Sequence, residues 1–243
     1  FMTLQEHLQE LRSRLFMVAI FFALALGACY YFSQEIYNFL LIPFGNVTTN
    51  KEDYRLIFTS PAEAFISYLK LSFLSAIFFT TPIFLIQTYL FLAPALYKNE
   101  KKFITILLTI SPLLFFCGAI IAYYYILPLA FNFFLNFENR NLANSSQIAV
   151  ELEVRISEYL SFTKNIIFGF GIAFQMPILL LSLIKFKIIS LSSLTSKRKY
   201  WILSFFLISA ILTPPDILSQ IFMASLMIIL FEGMIFLTKF FAK

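Results

Sequence analysis

Long apolar stretches, separated by short polar segments, dominate the pattern along the chain. A helix needs about 20 apolar residues to cross the hydrocarbon core of a bilayer, whereas the strands of a membrane barrel alternate polar and apolar residues over about ten positions. The stretches here are continuous and long, so they predict helices. We expect six membrane-spanning helices, the last two of them short, over residues 15–32, 65–92, 103–134, 160–184, 201–212 and 217–237.

The distribution of lysine and arginine supports the same count, because loops on the cytoplasmic side of a membrane carry an excess of positive charge. With six spans, one face carries most of these residues: Arg12, Arg14, Lys98, Lys101, Lys102, Lys185, Lys187, Lys197, Arg198, Lys199, Lys239 and Lys243. The opposite face carries the smaller set: Lys51, Arg55, Arg140 and Arg155. We therefore expect both termini on the positive face, whether cytoplasmic, matrix or stromal.

The composition also requires a lipid environment, since 60% of the residues are hydrophobic, 13% are charged, and the mean hydropathy is +0.84. No linker or internal repeat divides the chain, so residues 1–243 are expected to form one membrane domain. The pI near 9.1 follows from membrane orientation and predicts no nucleic-acid partner. His7, Cys29 and Cys117 lack the spacing of metal ligands or catalytic groups, so we expect neither an enzyme nor a cofactor.

The first 15 residues predict an amphipathic helix that leads into the first span. Residues 3–6 match a capping box, and leucines then recur every three or four positions. Glu10 lies on the polar side of this helix. One interpretation of Glu10 is an ion pair with Arg14, four residues further on, and the other is a binding role for its carboxylate.

Two segments resemble the signature segments of the TatC family of the twin-arginine protein translocase: HLQELRSRL at residues 7–15 and FLAPALYKNEKK at residues 91–102. Further segments resemble other parts of this family in the same order: SPAEAF at 60–65, AYYYILPLAF at 122–131, FGIAFQMP at 170–177 and LTPPDILSQ at 212–220. Each segment alone is a weak signal, but all of them in this order within six predicted spans resemble this family specifically. The resemblance implies the core receptor subunit of the translocase, which binds Arg-Arg signal peptides and organises the transport of folded proteins across an energised membrane.

The resemblance also implies a binding site, in which one glutamate of each signature segment contacts the two arginines of a signal peptide. By motif match these glutamates are Glu10 and Glu100. The same segments contribute the remaining implied contacts: Arg12, Phe91 and Pro94. Glu100 has a local interpretation as well, because its charge can neutralise the lysines that follow it, Lys101 and Lys102.

Several positions of the matched segments and of the loops have structural interpretations. The motif positions are Pro43, Pro61, Glu63, Pro214, Pro215, Asp216 and Gln220. Asp216 predicts an N-cap for the sixth span. Prolines inside the spans are expected to kink them: Pro82, Pro112, Pro128 and Pro177. The stretches 33–63 and 138–158 carry most of the acids and are predicted to be exposed loops on the less positive face.

Three polar side chains fall inside predicted spans: Gln175, Glu232 and Lys70. The family usually has a glutamate where this chain has Gln175, and an amide can form hydrogen bonds or contact a partner but cannot ionise. Glu232 is either a functional group at depth or a residue near the positive-face interface. A small proton- or ion-coupled secondary transporter, in which these three residues line the ion path, is the alternative function, and the missing repeat argues against it.

The resemblance implies partners as well: TatA- and TatB-like single-span proteins, the twin-arginine signal peptides of folded cargo, and other copies of this chain in a larger complex within the bilayer. The 33 phenylalanines, with abundant Ile, Lys, Asn and Tyr, are typical of an A/T-rich genome such as that of an organelle. We therefore favour the mitochondrial inner membrane over a plastid thylakoid or a bacterial inner membrane.

Overall fold

The computed structural model describes residues 4–48, 56–92, 101–136, 153–213 and 216–241, and these residues are almost entirely helical. The helices are α1 (Leu4–Tyr31), α2 (Ser33–Thr48), α3 (Pro61–Leu92), α4 (Lys101–Ile121), α5 (Leu127–Leu135), α6 (Ile156–Ala173), α7 (Met176–Lys185), α8 (Leu191–Ser196), α9 (Arg198–Leu212) and α10 (Ile217–Phe241). A π-helical segment, Ala122–Ile126, joins α4 to α5. Two short strands, β1 (Leu56–Ile57) and β2 (Val154–Arg155), pair in parallel.

Five helical stretches of the described chain are long and apolar enough to cross a membrane: Gln5–Tyr31, Pro61–Phe91, Thr109–Leu135, Ile156–Lys185 and Ile217–Phe240. They correspond to the predicted spans 15–32, 65–92, 103–134, 160–184 and 217–237. The predicted short span at 201–212 lies within α9, which has 15 residues and a length of about 22 Å. A helical membrane fold is therefore confirmed, while the sixth crossing and the orientation of the termini remain predictions.

The amphipathic start and the first span form one continuous helix, α1, rather than a surface helix followed by a span. Residues of the capping box before Leu4 lie outside the described residues. Helix α1 runs antiparallel to α3, since Arg14 near its start contacts Gln87 near the end of α3, and Phe22 packs against Phe73. This antiparallel pair brings the polar start of α1 next to the end of α3.

Two of the four prolines expected to kink the spans coincide with breaks in the α-helical pattern. Pro128 follows the π-helical segment, in which the N–H of Leu127 donates to the carbonyl of Ala122, five residues earlier. Pro177 follows the turn between α6 and α7. Pro82 and Pro112 lie inside continuous helices.

The prediction of an exposed loop over 33–63 is wrong for residues 33–48, which form α2. The reason is the apolar sequence Leu40–Phe44, and both Pro43 and Phe44 are buried. Pro43 has no N–H to donate to the carbonyl of Phe39, four residues earlier, and the hydroxyl of Tyr123 donates to that carbonyl instead, at 2.6 Å. Pro43 therefore helps to dock α2 on the π-helical segment.

Helices α4 and α6 cross in close contact. A Cβ atom on Gly118 would lie 2.6 Å from the carbonyl oxygen of Phe170, and one on Gly171 would lie 2.7 Å from the ring of Phe115. Glycine at both positions allows the two helices to approach this closely. The fully buried rings of Phe115 and Phe170 fill the space around the crossing.

Candidate functional site

The start of α1 and the end of α3 form a polar cluster around Glu10. The Oε1 atom of Glu10 accepts hydrogen bonds from Nε of Arg14, at 3.0 Å, and from Nη2 of Arg14. The remaining guanidinium nitrogen of Arg14 donates to Oε1 of Gln87 at 3.0 Å. The ion pair that sequence spacing predicted is therefore present, and it is tied to α3 through Gln87.

The second oxygen of the Glu10 carboxylate has no hydrogen-bond partner within the described part of the chain. It lies 4.0 Å from Nδ1 of His7, which is beyond a hydrogen bond. The Glu10 side chain is 19% exposed, so it is mostly but not completely buried. One carboxylate oxygen is thus engaged within the chain, and the other is buried without a hydrogen-bond partner among the described residues.

Aromatic side chains flank this carboxylate. The ring of His7 stacks on the ring of Phe91 with centroids 4.2 Å apart and an angle of 19° between the planes. Phe91 was predicted for this site, and the stacking places it beside His7 and Glu10. Flat rings of this kind can also receive the planar guanidinium group of an arginine.

The other residues predicted to contact a signal peptide, Arg12, Pro94 and Glu100, are not seen in the cluster around Glu10 within the described part of the chain. Arg12 is exposed on α1. Glu100 and Pro94 lie outside the described residues, so their part in the site remains a prediction. Two residues of the cluster were not predicted as site residues, His7 and Gln87. Gln87 could have been noticed as a polar residue within the last turns of an apolar span, but nothing in the sequence pairs it with Arg14.

Gln175 lies in the turn between α6 and α7, where it joins two spans. Its Oε1 atom accepts from the hydroxyl of Ser111 at 2.7 Å, and its Nε2 atom donates to the carbonyl of Ser111 at 3.0 Å. Both polar atoms of the Gln175 amide therefore form hydrogen bonds to Ser111 of α4. This geometry favours hydrogen bonding between helices as the role of Gln175.

Glu232 and Lys70, the other polar residues inside predicted spans, lie apart from Gln175 and have different surroundings. Glu232 pairs with Arg198 at 3.3 Å, and its side chain is 41% exposed, which agrees with a position near an interface. Lys70 lines a groove between α1, α2, α3 and α6. The described residues do not bring Gln175, Glu232 and Lys70 into one polar path, and this is evidence against the transporter alternative.

The motif positions that lie within the described residues stabilise helix starts. Glu63 accepts from the backbone N–H and hydroxyl of Thr59, at 2.6 and 2.8 Å, and from the hydroxyl of Ser157, at 2.6 Å. Pro61 is the first residue of α3, a favourable position for proline.

The predicted N-cap of the last helix is confirmed, because the Oδ2 atom of Asp216 accepts from the N–H of Ser219 at 2.7 Å. Gln220 approaches the carbonyl of Phe206 at 3.5 Å, which is a long contact between α10 and α9. Pro214 and Pro215 lie outside the described residues.

The fold and the polar cluster define a class of protein: a multi-pass helical membrane protein with a sheltered carboxylate at one end of its bundle. The family described as Sec-independent protein translocase protein (TatC) matches residues 6–225. The chain belongs to the TatC family.

Relatives support this assignment along nearly the whole chain. The Sec-independent protein translocase protein TatC of Rickettsia prowazekii is 42% identical over 97% of this chain and 92% of its own length. An uncharacterised TatC-like protein of Reclinomonas americana is 37% identical over 98% of this chain and 87% of its own length. A crystal structure titled as the twin arginine translocase receptor TatC superposes with a TM-score of 0.79 and 37% identity, over 96% of this chain and 99% of that one.

Proposed function

We propose that this chain is the receptor subunit of a twin-arginine translocase and that Glu10 contributes to the site for the paired arginines of signal peptides. Family membership supports the transport role. The observation that carries the site is the Glu10 carboxylate, with one oxygen held by Arg14 and the other buried and unpartnered within the described part of the chain. The activity is binding and transport, with no catalytic step.

The chemistry of the cluster suits a guanidinium ligand. A guanidinium group presents a planar fork of donors, whereas an ammonium group is a point charge, so a carboxylate beside flat rings can prefer arginine over lysine by geometry. Arg14 and Gln87 position Glu10, because two nitrogens of Arg14 donate to its Oε1 atom and Gln87 ties Arg14 to α3. Glu100 directly precedes α4, and we propose it as the second carboxylate of the site.

The partners and the membrane are further parts of the proposal. TatA- and TatB-like single-span proteins and other copies of this chain complete the complex, and an energised membrane drives transport. The large apolar outer surfaces of the helices, such as those at Leu24 and Ile211, are available to lipid and to such partners. Relatives occur both in bacteria and in Reclinomonas, and we propose the mitochondrial inner membrane on the basis of the A/T-rich composition.

The experiment that tests this function compares two signal peptides that differ only in an Arg-Arg or a Lys-Lys pair. Their affinities for the purified full chain in detergent should differ by about tenfold or more, because the ammonium group of lysine lacks the planar fork of donors that a guanidinium presents. A peptide with the same residues in scrambled order controls for general electrostatic attraction. Equal affinity for the two pairs would contradict the proposed receptor function.

A further inference from the structure

A large apolar groove lies in the half of the molecule away from Glu10. Its volume is about 1570 Å³, and α1, α2, α3, α4, α6 and the π-helical segment contribute to its walls. The walls consist mainly of leucine, phenylalanine, isoleucine and alanine, for example Leu26, Phe73, Ile120 and Phe168. Sites for drug-sized ligands have volumes of about 300–1,000 Å³, so this groove is large enough for a bigger apolar ligand.

The charged residues that line the groove are unbalanced. Among the described residues they are two lysines, Lys70 and Lys164, and one acid, Glu35. Neither lysine forms an ion pair within 4.0 Å with any acid among the described residues. An apolar groove with two uncompensated ammonium groups favours a ligand that is apolar along most of its length and anionic at one point.

The two lysines lie at the same depth along neighbouring helices. Glu63 of α3 and Ser157 of α6 are joined by a hydrogen bond of 2.6 Å, which aligns the starts of the two helices. Lys70 follows Glu63 by seven residues, and Lys164 follows Ser157 by seven residues. Seven residues make about two turns of helix, a rise of about 10.5 Å, and they return to nearly the same face. The two lysines therefore lie on the face of the groove at the same height along the parallel helices α3 and α6.

This level is close to the boundary of the hydrocarbon core. Helix α3 has 32 residues and is about 48 Å long, whereas the core is about 30 Å thick. A centred helix extends about 9 Å beyond the core at each end, and Lys70 lies about 13 Å from the start of α3. The Lys70 backbone is then only about 4–5 Å inside the core, and an extended lysine side chain, about 6 Å long, can place its amino group just outside the core, at the edge of the headgroup region.

We propose that the groove binds one anionic phospholipid, with its phosphate between Lys70 and Lys164 and its acyl chains against the apolar walls. The lipid belongs to the leaflet at the end of the molecule opposite to Glu10. A peptide helix would provide a counterion for the two ammonium groups only if it carried an acidic side chain at this level, whereas an anionic phospholipid carries its phosphate at the end of its acyl chains. The site is separate from signal-peptide recognition, because Gln87, which contacts Arg14 near Glu10, is 17 residues or about 25 Å along α3 from Lys70.

The test is native mass spectrometry of the purified full chain, titrated with phosphatidylglycerol or phosphatidylcholine of the same acyl chains. Phosphatidylglycerol should bind more tightly to the unmodified protein. Lys70→Gln or Lys164→Gln should weaken its binding about fivefold each, and the double variant about thirtyfold. A double Lys→Arg variant keeps both charges and should retain the preference, which separates loss of charge from a folding defect.

Lys239→Gln is the matched control, since Lys239 is exposed on α10 and does not line the groove. It removes one charge and should leave the preference for phosphatidylglycerol unchanged. Equal binding of the two lipids to the unmodified protein, or full binding of phosphatidylglycerol to the double Lys→Gln variant, would overturn the proposal. So would displacement of phosphatidylglycerol by an Arg-Arg signal peptide offered together with it, because the groove would then hold a helix.

Discussion

At Gln175 a single side-chain amide connects α4 to the turn between α6 and α7. In the hydrocarbon core a polar atom without a partner is unfavourable by several kcal/mol, and here Ser111 satisfies both the oxygen and the nitrogen of the amide. An ionised glutamate could accept from the Ser111 hydroxyl but could not donate to the Ser111 carbonyl. The glutamine at position 175 therefore fits a hydrogen-bonding role.

Replacing Gln175 with leucine tests that role. Gln175→Leu should lower the free energy of unfolding by about 1 kcal/mol, because hydrogen bonds between membrane helices contribute about this much. The measurement is equilibrium unfolding in mixed micelles. Gln34→Leu makes the same chemical change at an exposed position of α2 and should have little effect. A Gln175→Leu variant as stable as the unmodified chain would show that the amide only fills space.

Sequence spacing predicts contacts between residues that are near in the chain and misses those between distant ones. Glu10 and Arg14 are four residues apart in a helix, so their ion pair was predictable. The stacking of His7 on Phe91 and the hydrogen bond from Arg14 to Gln87 depend on how α1 packs against α3. A pattern of apolar residues does not determine that packing, so His7 and Gln87 could be assigned to the cluster only from the structure.

At the scale of helices, the crossing of α4 and α6 depends on two glycines. Gly118→Ala should destabilise the protein by about 1–3 kcal/mol, because its Cβ atom would lie 2.6 Å from a backbone oxygen that cannot move without shifting α6. Gly171→Ala should have a smaller effect, since its added Cβ atom would meet the side chain of Phe115 rather than backbone. The free energy of unfolding in mixed micelles reports both effects.

Gly27→Ala is the control for this crossing, because nothing lies within 4 Å of the position of its added Cβ atom. Alanine favours a helix over glycine by about 0.5–1 kcal/mol, so this variant should be as stable as the unmodified chain or slightly more stable. If Gly118→Ala were as stable as Gly27→Ala, the close approach of α4 to α6 would be wrong.

The long helices were predictable because their length and hydropathy leave no alternative in lipid. The irregular elements were not. Helix α2 contains Pro43, and its burial depends on Tyr123, which is 80 residues further along the chain. The π-helical segment before Pro128 has no signature in the pattern of apolar residues, since the proline predicts an interruption but not its form.

At the scale of the whole molecule, the cluster around Glu10 and the groove with Lys70 lie towards opposite ends of the antiparallel pair of α1 and α3. The cluster around Glu10 lies where α1 starts and α3 ends, and the groove with Lys70 lies towards the opposite end. If the positive face is the cytoplasmic, matrix or stromal one, the cluster faces the compartment in which cargo folds. A signal peptide then meets the cluster first, and the lipid groove belongs to the other leaflet.

The central claim is that the Glu10 carboxylate, together with Glu100, binds the paired arginines of a signal peptide. The most direct test is the affinity of an Arg-Arg signal peptide for the unmodified chain and for Glu10→Gln, Glu100→Gln and Glu6→Gln variants in detergent. Each of the first two substitutions keeps the shape and removes the charge, so binding should weaken by about tenfold or more, while the Glu6→Gln variant should bind nearly normally. Normal binding by the Glu10→Gln and Glu100→Gln variants, or equal loss in all three, would contradict the account.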